Sequence, residues 1–143
     1  MAHTYKYPRP MLTVDAVVFI RDKEKLKVLL IQRSQPPFKG EWAFPGGFVD
    51  MDETVEEAVV RELEEETGLK NISLRQLHTF SAVDRDPRGR TVSVVFYGFT
   101  GPENSIIRAG SDAANTCWTD IENMPQLAFD HTEIMNKALE RIR

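Results

Sequence analysis

The sequence predicts an α/β protein in which a mixed β-sheet is covered by a helix on each face, an α/β/α sandwich. Two observations carry that prediction. Read in chain order, the apolar patterns run strand, strand, strand, helix, strand, strand, short strand, helix. Both helical segments carry one apolar stripe, and a one-faced helix must bury that stripe on another layer. A third observation bounds the size. With 143 residues, 41% of them apolar and 28% charged, the chain has the length and composition of one soluble globular domain over residues 1–143.

Residues 1–10 are polar, with Pro8 and Pro10, and form an extended lead-in. Leu12 to Ile20 is rich in β-branched residues and reads as a buried strand. Asp22-Lys23-Glu24-Lys25 is a charged turn, and Lys27 to Gln32 completes a hairpin. Two prolines make Ser34 to Gly40 a loop. Trp42 to Phe44 is a short strand that feeds Pro45-Gly46-Gly47, where glycine permits positive φ and close backbone approach. The first helix opens at Thr54, with Glu57 three residues on completing a capping box, and stops at Gly68. Val55, Val59 and Leu63 give it its apolar stripe. Ile72 to Val83 and Thr91 to Phe99 are strand-like runs on either side of the loop 84–90. Gly101 to Asp112 is loop-like, Asn115 to Thr119 a short strand, and Asp120 to Pro125 a turn-rich connector. Asp130 with Glu133 reads as a second capping box, followed by Ile134, Met135, Ala138, Leu139 and Ile142 at helical spacing. That terminal helix is structural. His131 in its first turn is a packing or hydrogen-bonding residue, because no metal-spaced His or Cys accompanies it.

Charge is unevenly spread over this frame. From Asp50 to Leu69 there are nine acids and one base, a local charge of −8, while the whole chain is −4 and the remainder therefore +4. Glu62, Glu65 and Glu66 stand at i, i+3 and i+4, so their carboxylates project from one helix face. Glu64, Glu65 and Glu66 lie at the helix end where the dipole favours cations, and like charges at i and i+4 repel. One reading is a solvated acidic face. The other is a bound hard cation, which relieves the repulsion. Oxygen ligands with no Cys and no nearby His favour Mg2+ or Mn2+ over zinc. Gly46 and Gly47, just ahead of the helix, can bring a backbone carbonyl to such an ion. Glu103 and Asp112 in the later loop can approach the same place. Arg61 faces away from Glu65 and Glu66 by helical geometry, toward a loop carboxylate such as Glu53. Arg85 and Arg88, in the loop Asp84-Arg85-Asp86-Pro87-Arg88-Gly89-Arg90, are suited to phosphate oxygens, or else belong to a solvated hairpin tip.

Composition excludes several classes. A mildly acidic chain argues against general nucleic-acid binding. No apolar run has the length of a membrane span, and no signal-peptide core opens the chain. A single cysteine, Cys117, permits no intrachain disulfide, so the expected compartment is the reducing cytoplasm, with Cys117 in the core.

The central segment resembles the Nudix box, G-x5-E-x7-R-E-U-x-E-E-x-G-U with U aliphatic. It is matched here by Gly47, Glu53, Arg61, Glu62, Leu63, Glu65, Glu66, Gly68 and Leu69 without departure. Seven fixed identities at fixed spacing arise by chance on the order of 10⁻⁹ per start position. The resemblance implies the Nudix α/β/α sandwich and a Mg2+- or Mn2+-dependent hydrolase of a nucleoside diphosphate linked to another moiety. It implies that Glu62, Glu65 and Glu66 bind metal, joined by the carbonyl of Gly46, with Glu53 and Arg61 in support. The general base varies among family members; Glu103 and Asp112 are the candidates here. Further segments, Pro37 to Val49, Asp84 to Arg90, Ala109 to Ala113 and Ala128 to His131, are similar to the ADP-ribose pyrophosphatase-like branch. That branch implies ADP-ribose as substrate, AMP and ribose 5-phosphate as products, an adenine stacked on an aromatic such as Phe38, Trp42 or Phe80, and often a homodimer. Another nucleotide substrate is the second enzyme reading. A non-catalytic ADP-ribose-type sensor is the reading from another class. Against it stand the intact box glutamates and a chain ending at Arg143 without a winged-helix extension.

Overall fold

Strand β1 (Met11–Asp22) is the axis of the molecule, and its residues 13–20 are all buried. A strand covered on both faces needs a near-continuous apolar run, which is what the sequence supplies there. The structure is a computed structural model describing residues 4–104, 106–107, 110 and 113–143. After Lys23-Glu24, with Lys23 at φ 60°, β2 (Lys25–Arg33) returns antiparallel to β1 and pairs with it from Asp22↔Lys25 to Phe19↔Val28.

Beyond that point the two strands part. Continued, the register would set Asp15 opposite Gln32. Instead β4 (Gly46–Phe48) lies along β1 at Thr13 to Asp15, and β3 (Trp42–Ala43) lies along β2 at Ile31 and Gln32. The segment 42–48 is thus a wedge in a split sheet, and the split is where the site forms. On the other edge of β1, β6 (Thr91–Thr100) runs parallel to it along nearly its whole length. Strand β5 (Arg75–Phe80) is antiparallel to β6, and β7 (Ala113–Asp120) antiparallel to β2. Among the described residues this makes a seven-stranded mixed sheet.

Alternation along β1 feeds two cores. Val14, Ala16 and Val18 join Leu29 and Phe96 against Ala58, Val59 and Leu63 of helix α1 (Val55–Thr67). Val17 and Phe19 join Val28, Leu30 and Val95 against Ile134, Met135 and Ala138 of helix α2 (His131–Ile142). Each such fully buried Val, Leu or Phe stabilises the fold by about 1.5–3 kcal/mol. The α/β/α layering is that read from the sequence.

Helix α1 begins and ends as its sequence dictates. Thr54 Oγ1 accepts from Glu57 N–H at 3.0 Å, and the Glu57 carboxylate accepts from Thr54 N–H at 2.9 Å. Gly68 closes the helix at φ 80°, and its N–H donates to Glu64 C=O at 2.8 Å.

Three expectations need correction. The run from Ile72 to Val83 forms a strand only over Arg75–Phe80. Asn71 at φ 59° breaks the chain before it, and a turn with Arg85 N–H on Ala82 C=O ends it. Strand β7 is longer than Asn115 to Thr119, because β2 offers it a full-length partner that local propensity does not count. The capping box at Asp130 does not form: its side chain makes no cap hydrogen bond and is bound by Arg85 instead.

Candidate active site

The wedge at 42–48 and the last turns of α1 enclose a cavity of about 400 Å³ lined by Gly46, Gly47, Glu62, Glu65 and Glu66, among others. The helical spacing of the three glutamates does what geometry requires and presents them to one space. Glu66 is buried, and its Oε1 accepts from Gly46 N–H at 2.7 Å. Glu62 lies on Gly47, where an added Cβ would stand 2.5 Å from Oε1. At Gly46 an added Cβ would stand 2.1 Å from Val14 C=O. Neither glycine has positive φ. Close approach of β4 to β1 and to the Glu62 carboxylate is therefore the reason for both glycines, and left-handed backbone is not.

Arg61 ties the acidic stretch together. Its Nη2 and Nε reach Glu53 at 2.6 and 3.0 Å, as the sequence led us to expect. It does not, however, face away from the other glutamates. Nη1 donates to Glu62 at 2.8 Å and to Glu65 at 3.2 Å, and Nη2 also reaches Phe48 C=O at 3.1 Å. The long side chain curls back over its own helix face, which a wheel drawn from Cβ directions misses. The Arg61 guanidinium and the Asp50 N–H together hold the Glu53 carboxyl down to about 2. Burial pushes the Glu62 carboxyl up, against the pull of Arg61.

Among the described residues, no group of three His, Cys, Asp or Glu side chains is arranged to hold an ion as the side chains stand. The contacts explain this: Glu62 and Glu65 are turned onto Arg61, and Glu66 onto Gly46 N–H. The donor set itself fits a hard divalent cation, with three carboxylates on one cavity wall and oxygen as the only ligand atom.

The arginine loop divides. Arg85 lines the cavity, but its side chain is only 4% exposed and binds Asp130 through two hydrogen bonds of 2.8 and 2.7 Å. It is not a free phosphate grip on an exposed tip. It locks the loop to the start of α2. Burial lowers its basicity, but the bonds to Asp130 outweigh this and raise it. Arg88 also lines the cavity. It is aimed by Asp86 at 2.8 Å and lies over the rings of Phe48 and Phe129, at 5.0 and 5.3 Å.

Phe38 and Trp42 are not among the lining residues. Phe38, at φ 61°, packs edge-on behind Phe129 at 4.8 Å. Trp42 and Phe80 pack against the α2-side core. Glu103 is exposed on a short 3-10 turn (Pro102–Asn104) and does not line the cavity. Asp112 lies outside the described residues.

Among the lining residues that the sequence does not single out in this capacity are Asp15, Arg33, Phe129 and His131. Asp15 had a legible signal, a lone charge inside the apolar run from Leu12 to Ile20. Arg33 donates to Pro37 C=O at 2.7 Å and lies 5.0 Å from the Phe129 ring. Burial, and then the nearby Arg88, lower its basicity. His131 has the hydrogen-bonding role expected of it, with Nδ1 accepting from Phe44 N–H at 3.1 Å.

The chain is similar to known proteins over most of its length. The family model of the NUDIX domain matches residues 10–142. The chain is 47% identical over 130 residues to the ADP-ribose pyrophosphatase of Methanocaldococcus jannaschii, covering 90% of this chain and 73% of that protein. It is 36% identical over 143 residues to the ADPR responsive transcriptional repressor NtrR of Acinetobacter baylyi, covering 95% of this chain but only 56% of the repressor. The NUDIX domain of Shewanella oneidensis NrtR, solved in complex with ADP ribose, has a TM-score of 0.89 at 36% identity, covering 96% of this chain and 91% of that one. The box residues that line the cavity, Gly47, Glu62, Glu65 and Glu66, thus lie within a match to nearly the whole chain, and the protein belongs to the Nudix family.

Proposed function

We propose that this chain is a Mg2+- or Mn2+-dependent pyrophosphohydrolase that cuts ADP-ribose with water to AMP and ribose 5-phosphate. The observation that carries this reading is one cavity holding Glu62, Glu65 and Glu66 together with Arg33 and Arg88. Carboxylates that collect cations and guanidiniums that collect phosphates are the two needs of a diphosphate site. When bound, the cation supplies charge neutralisation at the diphosphate and lowers the pKa of water. Glu62, Glu65 and Glu66 hold it, with the backbone carbonyl of Gly46. Glu53 positions Arg61, which spaces Glu62 and Glu65. Arg88, steadied by Asp86, takes phosphate oxygens. Water oxygen bonds one phosphorus as the bridging oxygen leaves with the other product.

ADP-ribose as the substrate is supported by likeness to a protein named for that activity and to a domain solved with that ligand. The same reading has one domain over residues 1–143, a homodimer, a small-molecule nucleotide as the partner and a cytoplasmic setting that suits the unpaired Cys117. No described helix is long and apolar enough to cross a membrane.

The test is product analysis on a panel of nucleotides with Mg2+. Wild type releases AMP from ADP-ribose, and Glu66→Gln loses about 10²–10³-fold in kcat, the scale of removing one transition-state stabiliser. Full activity in Glu66→Gln would remove the metal-site assignment. The likeness to the repressor favours a second reading, a sensor that binds ADP-ribose without cutting it. Tight binding by wild type with no AMP released selects that reading.

A further inference from the structure

Asp15 is a cavity residue that the reaction above does not use. It occupies the row of β1 that carries Val17 and Phe19 into the core, and it is only 8% exposed while lining the cavity. A carboxylate placed there is costly unless polar partners hold it. Its Oδ2 accepts from Ser93 Oγ–H at 2.5 Å. Its Oδ1 lies beside the Gly46 backbone, 2.4 Å from where a Cβ would stand. Oδ1 is also 3.8 Å from His131 Nε2, too far for a hydrogen bond.

His131 faces the same gap. Because Nδ1 accepts from Phe44 N–H, the proton of the neutral ring sits on Nε2. A ring nitrogen that accepts carries no proton, so the geometry itself makes the ring neutral, and burial lowers its basicity in the same direction. An acceptor and a donor therefore face each other across a space too wide for them to satisfy one another, and both line the cavity. A hydroxyl satisfies both, donating to Oδ1 and accepting from Nε2–H. A phosphate oxygen accepts only, and would set a second anion beside Asp15. An ammonium donates only, and would leave Nε2–H unpaired.

We propose that Asp15 and His131 form a recognition site for one sugar hydroxyl of the substrate, selecting a diphosphate that presents a sugar there over a nucleotide that would present a phosphate. The proposal rests on the pyrophosphohydrolase reading.

The experiment is steady-state hydrolysis of ADP-ribose, and of analogues lacking one sugar hydroxyl at a time, by wild type, Asp15→Asn and His131→Asn, each with a Mg2+ saturation curve. For wild type, one deoxy analogue loses about 10- to 100-fold in kcat/KM, the scale of one hydrogen bond to a charged group, mostly in KM. Both variants lose on ADP-ribose and lose little further on that analogue, and their Mg2+ midpoints match wild type. His131→Asn keeps an acceptor for Phe44 N–H and removes the ring that carries the Nε2 donor, so it gives a second readout where Asp15→Asn fails to fold. Wild type that handles every deoxy analogue like ADP-ribose overturns the site, which then holds a water only. So do variants that lose the same factor on every analogue, or a shifted Mg2+ midpoint, which assigns Asp15 to the metal. A wild type inactive on ADP-ribose overturns the hydrolase reading and this site's sugar with it, before any variant is compared.

Discussion

Arg61 has more carboxylate partners within 4 Å than any other described base: Glu53, Glu62, Glu65 and, at 3.7 Å, Asp50. Glu53 is the tightest of them, and its depressed pKa ties the acidic stretch to pH. A carboxyl lowered in the fold from its ordinary 4.5 to about 2 binds its proton later than in the unfolded chain. Its stabilising contribution is therefore complete above pH 4.5 and is lost as pH falls toward 2. Glu62 works the other way, since burial raises it, so its effect lies above its ordinary value and outside this window. Chemical unfolding at stepped pH checks the sign. Glu53→Gln has a flatter stability curve than wild type between pH 4.5 and 2. Parallel curves would mean that the pairing with Arg61 contributes nothing. Arg88 makes a second prediction at this scale. Its guanidinium lines the cavity beside Phe48 and Phe129, so Arg88→Ala raises KM for ADP-ribose about 10-fold or more, one lost charge-assisted hydrogen bond, and also lowers the melting temperature, because it takes the guanidinium from the buried Asp86 carboxylate. A KM equal to wild type would leave Arg88 a ring-packing residue.

The elements show where sequence reasoning reaches and where it stops. Helix α1 was legible from its ends and its stripe, because the capping box, the Gly68 stop and the four-residue repeat are all local. The coplanar glutamates were legible for the same reason. What the sequence hides is the partner of a side chain that leaves its own element. Asp130 with Glu133 has the spelling of a capping box, yet Asp130 reaches Arg85, 45 residues away in sequence, and the cap is forgone. The resemblance implies an aromatic such as Phe38, Trp42 or Phe80 for stacking on adenine, but only the fold decides that Phe129 lines the cavity while Phe38 packs against its ring. The Arg85–Asp130 pair is the tether between the loop 84–90 and α2, with side chains 4% and 13% exposed. Removing one member of such a pair leaves the other charge buried, which costs about 3–5 kcal/mol. Arg85→Ala therefore unfolds at markedly lower denaturant with the slope unchanged. A stability within 0.5 kcal/mol of wild type, the range of ordinary surface changes, would mean that the pair with Asp130 does not tether the loop.

At the scale of the whole molecule, the split between β1 and β2 and the charge imbalance meet at one place. The sheet opens beyond Phe19↔Val28, the wedge at 42–48 fills part of the opening, and α1 delivers into it the end of a stretch carrying −8 in a chain that is otherwise +4. Only Arg61 opposes that charge from within the stretch, and like charges on neighbouring turns destabilise a helix. The fold thus carries a local electrostatic strain at the very end of α1 that packs on the Gly46–Phe48 strand. The divalent cation proposed for Glu62, Glu65 and Glu66 would relieve it and would bind the folded chain alone, because helical spacing brings the three carboxylates to one cavity only when α1 is formed. Mass action then fixes the size of the effect: a cation at 100 times its dissociation constant adds about 2.7 kcal/mol to stability. Thermal melts in EDTA and in rising Mg2+ or Mn2+ read this directly. The melting temperature of wild type climbs with the logarithm of the cation concentration once the site is filled, while Glu66→Gln climbs less at every concentration. Monovalent salt at matched ionic strength separates site binding from screening, since screening acts on the whole stretch, −8 in wild type and −7 in Glu66→Gln, and raises the two proteins by similar amounts. A wild-type melting temperature that tracks ionic strength alone, with no excess for the divalent ions, would reduce the three glutamates to a solvated acidic face.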